Sequence, residues 1–63
     1  MNKIQKLIDE QVDAKAYATE RCLYYHNLGL YKTAKDYNER ARRIALYIQD
    51  LTLLLNTGNE KQR

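Results

Sequence analysis

The length, composition and charge of this chain limit what it can be. It has 63 residues with one cysteine and one histidine, which excludes an intramolecular disulfide and a conventional zinc cluster within one subunit. Charged residues make up 30% of the chain, proline is absent, and the formal net charge is +3. A chain of this size buries only about 60% of its unfolded surface. Without a disulfide or a structural metal, such a fold usually needs oligomerisation or a partner.

The apolar residues occur in short runs. No continuous apolar stretch follows Met1, so the sequence lacks the pattern of a secretory signal. No run approaches the roughly 20 apolar residues that a membrane-spanning helix needs. The sequence therefore predicts a soluble, cytoplasmic protein that makes no membrane contact.

The first helix is predicted over about residues 3–28. Asn2 is suited to cap it, and Gln5 has the position from which a capping box returns the bond. The apolar stripe of this helix has the alternating four-and-three spacing of packed helices. Its members are Ile4, Ile8, Gln11, Lys15, Ala18, Cys22 and Tyr25. Gln11 and Lys15 interrupt the stripe, which makes it the weaker of the two in the chain.

Gly29 separates the two halves of the chain. On one continuous helix, the apolar stripe before Gly29 would be offset from the stripe after it by roughly 75°, whereas a single long coiled coil keeps one seam. The sequence Asn27-Leu28-Gly29 also suits a helix C-terminus with glycine in the left-handed conformation. The pattern therefore predicts a hairpin that turns at Gly29.

The second helix is predicted over about residues 31–57, with a polar tail at 58–63 because Asn56 to Gly58 suit a helix end. Its stripe is more regular than the first. The members are Leu30, Ala34, Tyr37, Ala41, Ile44, Ile48, Leu51 and Leu55. The fold class predicted for the whole chain is all-α, as a single antiparallel two-helix hairpin domain.

Folding the chain back at Gly29 places the two stripes opposite each other in layers. Tyr25 then faces Ala34, Cys22 faces Tyr37, and Ala18 faces Ala41 in the middle, with aliphatic pairs at the open end. Large residues meet small ones near the turn, which is a sensible interdigitation. The Ala18–Ala41 layer allows the two backbones to approach closely.

Two helices cover only one stripe of each other, so some apolar residues are predicted to stay outside. Tyr17 and Tyr24 lie seven residues apart on the far side of the first helix, and Leu46 and Leu53 lie seven apart on the second. Two interpretations stay open at this stage. These rows either form the lateral core of a homodimeric four-helix bundle or dock another protein.

Nothing in the sequence favours catalysis. Cys22 and His26 stand four residues apart, as a thiolate–imidazole pair would, but Cys22 also fits the stripe as a small seam residue. Two helices offer no substrate cleft, and there is no glycine-rich phosphate loop. We therefore expect neither an enzyme nor a cofactor or metal site.

The excess positive charge lies in residues 29–63, which carry seven basic and four acidic side chains. Four of the basic residues fall within about 100° of each other, opposite the seam of the second helix. They are Lys32, Lys35, Arg42 and Arg43. A basic face of this kind is either solvated or binds nucleic-acid phosphates.

Two functional hypotheses follow. The first is a non-enzymatic protein-interaction module, a regulator or inhibitor that pairs with itself and binds an unidentified protein through Tyr17, Tyr24, Leu46 and Leu53. The alternative is a homodimeric bundle that binds RNA or DNA through the basic face of the second helix.

Overall fold

Two α-helices packed against each other make up the fold. The computed structural model describes residues 2–61, with side chains described through residue 57. Helix α1 spans Lys3–Asn27 and helix α2 spans Tyr31–Lys61. No strand occurs in this part of the chain, and the Cα atoms extend over 53 × 18 × 10 Å. The predicted all-α helical hairpin is therefore confirmed.

Asn2 caps the start of α1, as its sequence position predicts. Its side-chain Oδ1 accepts hydrogen bonds from the backbone N–H of Ile4 at 2.8 Å and of Gln5 at 3.4 Å. The Gln5 amide instead reaches forward and donates to the Asp9 carboxylate at 3.1 Å. The cap is thus made by Asn2, while Gln5 bonds one turn further along the helix.

The turn between the helices is a Schellman motif centred on Gly29. Gly29 has a φ of +82°, in the left-handed region that favours glycine. Its N–H donates to the carbonyl of His26 at 3.0 Å, and the N–H of Leu30 donates to the carbonyl of Tyr25 at 2.9 Å. These two bonds satisfy carbonyls that the helix end leaves free, which confirms the predicted break at Gly29.

The seam between α1 and α2 follows the two predicted stripes. Its most buried residues are Ile8, Ala18, Ala34, Ala41 and Leu51. Ala18 is only 1% exposed, so the two backbones lie close at the centre of the hairpin. The other seam residues are half-buried: Ile4, Gln11, Cys22, Tyr25, Tyr37, Ile44, Ile48 and Leu55.

Two members of the predicted stripes lie outside the seam. Lys15 is exposed, because its long side chain can leave the seam and keep its ammonium group in water. Leu30 is also exposed, because it belongs to the turn and precedes the first residue of α2. The carbonyl of Leu30 accepts the first bond of α2, from the N–H of Ala34 at 3.0 Å.

The predicted end of the second helix near residue 57 is wrong. Helix α2 continues to Lys61 and passes through Gly58. Glycine permits the left-handed conformation that ends a helix but does not require it. Inside a helix it costs only about 1 kcal/mol relative to alanine. Most of the predicted polar tail is therefore helical, and its last two residues, Gln62 and Arg63, lie outside the described residues.

We expect Gly29→Ala to lower the free energy of unfolding by about 1–2 kcal/mol, the cost of a left-handed conformation for an L side chain. An added Cβ meets no atom within 4 Å, so the loss is conformational and involves no clash. Urea denaturation followed by circular dichroism measures it. Gly58→Ala is the control, because Gly58 is helical and alanine there should not destabilise the fold. Equal losses in both variants would contradict the assigned role of Gly29.

We expect Leu51→Asp to unfold the chain. Truncating a buried leucine costs about 2–5 kcal/mol, and Leu51 is buried, so an unpaired carboxylate would add a desolvation cost. Ile44→Asp should act in the same direction. Leu53→Asp, two residues away at an exposed position, is the matched control and should keep its helical circular dichroism. Retained helicity in Leu51→Asp would contradict the observed seam.

Candidate interaction surfaces

A single layer of two helices leaves many large apolar side chains in contact with water. They lie on both helices and on several faces of the hairpin. The exposed ones are Leu7, Val12, Tyr17, Leu23, Tyr24, Leu28, Leu30, Tyr31, Leu46, Tyr47, Leu53 and Leu54. Single exposed leucines are ordinary in proteins, but rows of them at helical spacing indicate binding surfaces.

Arg21 joins Tyr17 and Tyr24 into one cluster on α1. Its Nε donates a hydrogen bond to the Tyr17 hydroxyl at 3.3 Å. Its guanidinium carbon lies 5.5 Å from the centroids of both tyrosine rings, within range of a cation–π interaction. The hydrogen bond to Tyr17 raises the pKa of Arg21, and an arginine is charged at physiological pH in any case. Both rings remain just over half exposed and accessible to another chain.

A second aromatic contact connects the helices beneath this cluster. The rings of Tyr25 and Tyr37 stack with centroids 5.5 Å apart and an interplanar angle of 18°. The guanidinium carbon of Arg40 lies 5.1 Å from the centroid of Tyr37. The ring of Tyr24, beside Arg21, in turn meets the ring of Tyr25 edge-on with centroids 5.2 Å apart. Arg21 and Arg40 therefore lie on the same side of the hairpin, near its turn.

Leu46 and Leu53 form a separate row on α2. They are 62% and 60% exposed, and they lie opposite the seam residues of the same helix. Their seven-residue spacing places them two turns apart on one face. The structure does not merge this row with Tyr17 and Tyr24, which lie on the side of α1. The hairpin thus presents at least two distinct apolar surfaces.

A further set of apolar residues continues the side on which Arg21 and Arg40 lie. Seven-residue steps back from Arg21 reach Ala14 and Leu7, and seven-residue steps on from Arg40 reach Tyr47 and Leu54. We call this side the lateral face, with members Leu7, Ala14, Tyr17, Arg21, Tyr24, Arg40, Tyr47 and Leu54. The sequence shows each residue, but their grouping required the register of the two helices.

The predicted basic residues are all exposed on the first half of α2: Lys32, Lys35, Arg42 and Arg43. Arg42 and Arg43 line one surface depression together with Glu39 and Leu46. The carboxylate of Glu39 therefore lies within the basic face and reduces its positive potential. The same depression reaches the Leu46–Leu53 row, so the basic and apolar surfaces of α2 are contiguous.

Cys22 and His26 do not share an environment. Cys22 is a half-buried free thiol in the seam, and His26 is exposed at the turn, where its ring lies 5.0 Å from that of Tyr31. Among residues 2–61, no three histidine, cysteine or acidic side chains group together as metal ligands. In the described helices, no segment has both the length and the apolar character to cross a membrane.

Comparisons with protein-family models, with curated proteins and with solved structures find no match to this chain.

Proposed function

We propose that this chain is a small non-enzymatic protein-interaction module, a regulator or inhibitor. Its helical hairpin pairs with a second copy to form a four-helix bundle and binds a different protein. The exposed helix faces that carry Tyr17, Tyr24, Leu46 and Leu53 make these contacts. The bundle offers no cleft for chemistry, so the activity is the occupation of a partner's surface.

The observation that carries this proposal is the exposure of ordered apolar rows on a hairpin one helix thick. The Cα atoms extend only 10 Å in the thinnest direction, and in the described part of the chain most large apolar side chains outside the seam are exposed. The hydrophobic effect favours removing such surface from water by about 25 cal/mol per Å². Association with other chains is the available way to do so.

The Leu46–Leu53 row fits the role of the partner-binding surface. It faces away from α1, so it stays accessible when a second hairpin packs against another side. Two leucines two turns apart, beside Arg42 and Arg43, would suit an amphipathic helix with an acidic margin. Such a surface provides apolar anchors at its centre and charge selection at its edge.

We expect Leu46→Asp to abolish capture of partner proteins from a cell lysate without changing helicity. The substitution places a carboxylate at the centre of an apolar contact that the isolated chain does not need for folding. A pull-down with the tagged chain, read by mass spectrometry, provides the measurement. Gln49→Asp, with the same charge change at an exposed polar position of α2, is the matched control.

Three results would contradict this assignment. A wild-type chain that captures nothing beyond the Leu46→Asp background would remove the partner-binding role. Loss of helicity in Leu46→Asp would place Leu46 in the core. A folded wild-type monomer at all concentrations in sedimentation experiments would remove the self-association.

The alternative function, binding of RNA or DNA, is favoured by one observation. All four predicted basic side chains are exposed on the same half of α2, and a dimer would present them twice. Contacts from lysine and arginine to phosphates are independent of nucleotide sequence and weaken steeply with salt. This geometry suits a flat, non-specific phosphate contact.

In this alternative, Arg42→Glu with Arg43→Glu should abolish binding of labelled single-stranded and duplex RNA and DNA at low salt. Fluorescence anisotropy measures the loss, and the wild-type affinity should fall linearly with salt on a logarithmic scale. Lys3→Glu with Lys6→Glu makes the same charge change on α1 and serves as the control. No anisotropy change for the wild-type chain at low salt would exclude this function.

A further inference from the structure

We propose that a second copy of this chain covers the lateral face. Helix α1 of one copy packs against α1 of the other in the opposite direction, and the two-fold axis lies perpendicular to the helices. This inference rests on the self-association within the proposed function. It adds which face of the hairpin forms the contact between copies and the direction of one copy relative to the other.

The surface area of the hairpin is too large for a compact monomer. The chain exposes 5357 Å², whereas a compact monomer of 7.5 kDa exposes about 4,250 Å². The excess is about 1,100 Å², and a standard protein interface buries about 800 Å² on each partner. A second copy on one face would therefore cover most of the excess.

At the seven-residue steps that flank the seam, the lateral face carries a larger share of apolar residues than the opposite side. The lateral face carries Tyr17 and Tyr24 beside Arg21. Leu7 and Ala14 lie along its α1 edge, and Tyr47 and Leu54 lie along its α2 edge. The opposite side carries mostly polar residues at the equivalent seven-residue steps: Gln5, Val12, Thr19 and His26 on α1, and Tyr31, Asn38, Ala45 and Thr52 on α2. Exposed Leu23 adds apolar area to the opposite side, but among the described residues only the lateral face gathers two tyrosines around an arginine.

Charge decides the direction of the second copy. Arg21 and Arg40 lie on the turn half of the lateral face together with Asp36, and Glu10 and Asp50 border its open half together with Lys3 and Lys6. If both copies pointed the same way, four arginines would meet at one level, an arrangement that like-charge repulsion disfavours. If the copies point in opposite directions, Arg21 of each copy meets Glu10 of the other and the four arginines are separated.

The register on α1 satisfies several contacts with a single axis. Arg21 and Glu10 are equidistant from the midpoint between Lys15 and Ala16, which is close to the centre of Lys3–Asn27. The same midpoint relates Tyr17 to Ala14 and Tyr24 to Leu7. A two-fold axis at this point therefore pairs large side chains with small or aliphatic ones and pairs opposite charges.

The two surface regions that this contact would join are both depressions that α1 lines. One depression is lined by Tyr17, Glu20, Arg21 and Tyr24. Another is lined by Lys3, Lys6, Leu7 and Glu10. The two-fold axis would bring Arg21 and Tyr24 of one copy onto Glu10 and Leu7 of the other. The same exchange occurs twice, which is the signature of an isologous interface.

A charge exchange between Glu10 and Arg21 tests this arrangement. We expect Arg21→Glu to weaken the dimer tenfold or more in sedimentation equilibrium, with helicity checked by circular dichroism. The double variant Glu10→Arg with Arg21→Glu should restore most of the wild-type affinity. Within one chain the two residues are about 16 Å apart along the helix, so the rescue has to come from contact between copies.

A spin label reports the direction of the copies without disturbing the interface. Asn27 is exposed at the end of α1, and Asn27→Cys in a Cys22→Ala background provides a single labelling site per chain. Opposed copies place the two labels about 35 Å apart along the bundle. Copies running the same way place them within about 25 Å, since neighbouring helix axes are about 10 Å apart.

The outcomes separate this inference from the proposed function. A wild-type chain that stays monomeric would overturn the self-association itself. A dimer in which Arg21→Glu has no effect, in which Glu10→Arg gives no rescue, or in which the labels lie within about 25 Å would overturn only the face and direction assigned here. A rescued dimer with the labels about 35 Å apart supports both.

Discussion

Two α-helices in one layer can bury only the stripe along which they touch, and this constraint determines the remaining properties of the hairpin. The most buried seam residues include three alanines, Ala18, Ala34 and Ala41, which bring the backbones close but remove little apolar area from water. The larger side chains lie at the margins of the seam or outside it. The fold consequently has a narrow core and a broad apolar surface, and the same limited packing that makes it marginal alone also exposes the faces for which we propose binding.

The turn at Gly29 makes that narrow seam possible. Its Schellman hydrogen bonds end α1 within one residue and return the chain at once, so the pairing of the stripes is set close to the turn. The stacked rings of Tyr25 and Tyr37 then fix the register a turn further along. With the register set, Arg21 and Arg40 necessarily fall on the same side. The asymmetry between the lateral face and the opposite side is thus a consequence of a local turn.

The seam was predictable from the sequence because apolar spacing reports directly which side of a helix is covered. The break at Gly29 and the cap at Asn2 were predictable because each rests on local hydrogen bonds. The continuation of α2 through Gly58 was not, since a glycine is compatible with both outcomes. The stripes paired Tyr37 with Cys22 and Tyr25 with Ala34, whereas the structure stacks Tyr25 on Tyr37. The position of Arg21 between two tyrosines also depends on side-chain conformation, although its spacing of four and three residues was a usable signal.

The two apolar surfaces differ in what can cover them. The lateral face contains both signs of charge, and in the proposed dimer the two-fold axis places Arg21 of one copy opposite Glu10 of the other. The Leu46–Leu53 row has bases beside it and a single carboxylate, Glu39, within the adjoining depression. An acidic partner helix on this row would meet Arg42 and Arg43 directly, which favours a partner of different, more acidic chemistry. We therefore propose that charge pattern separates self-recognition from recognition of another molecule on a hairpin whose apolar rows alone look alike.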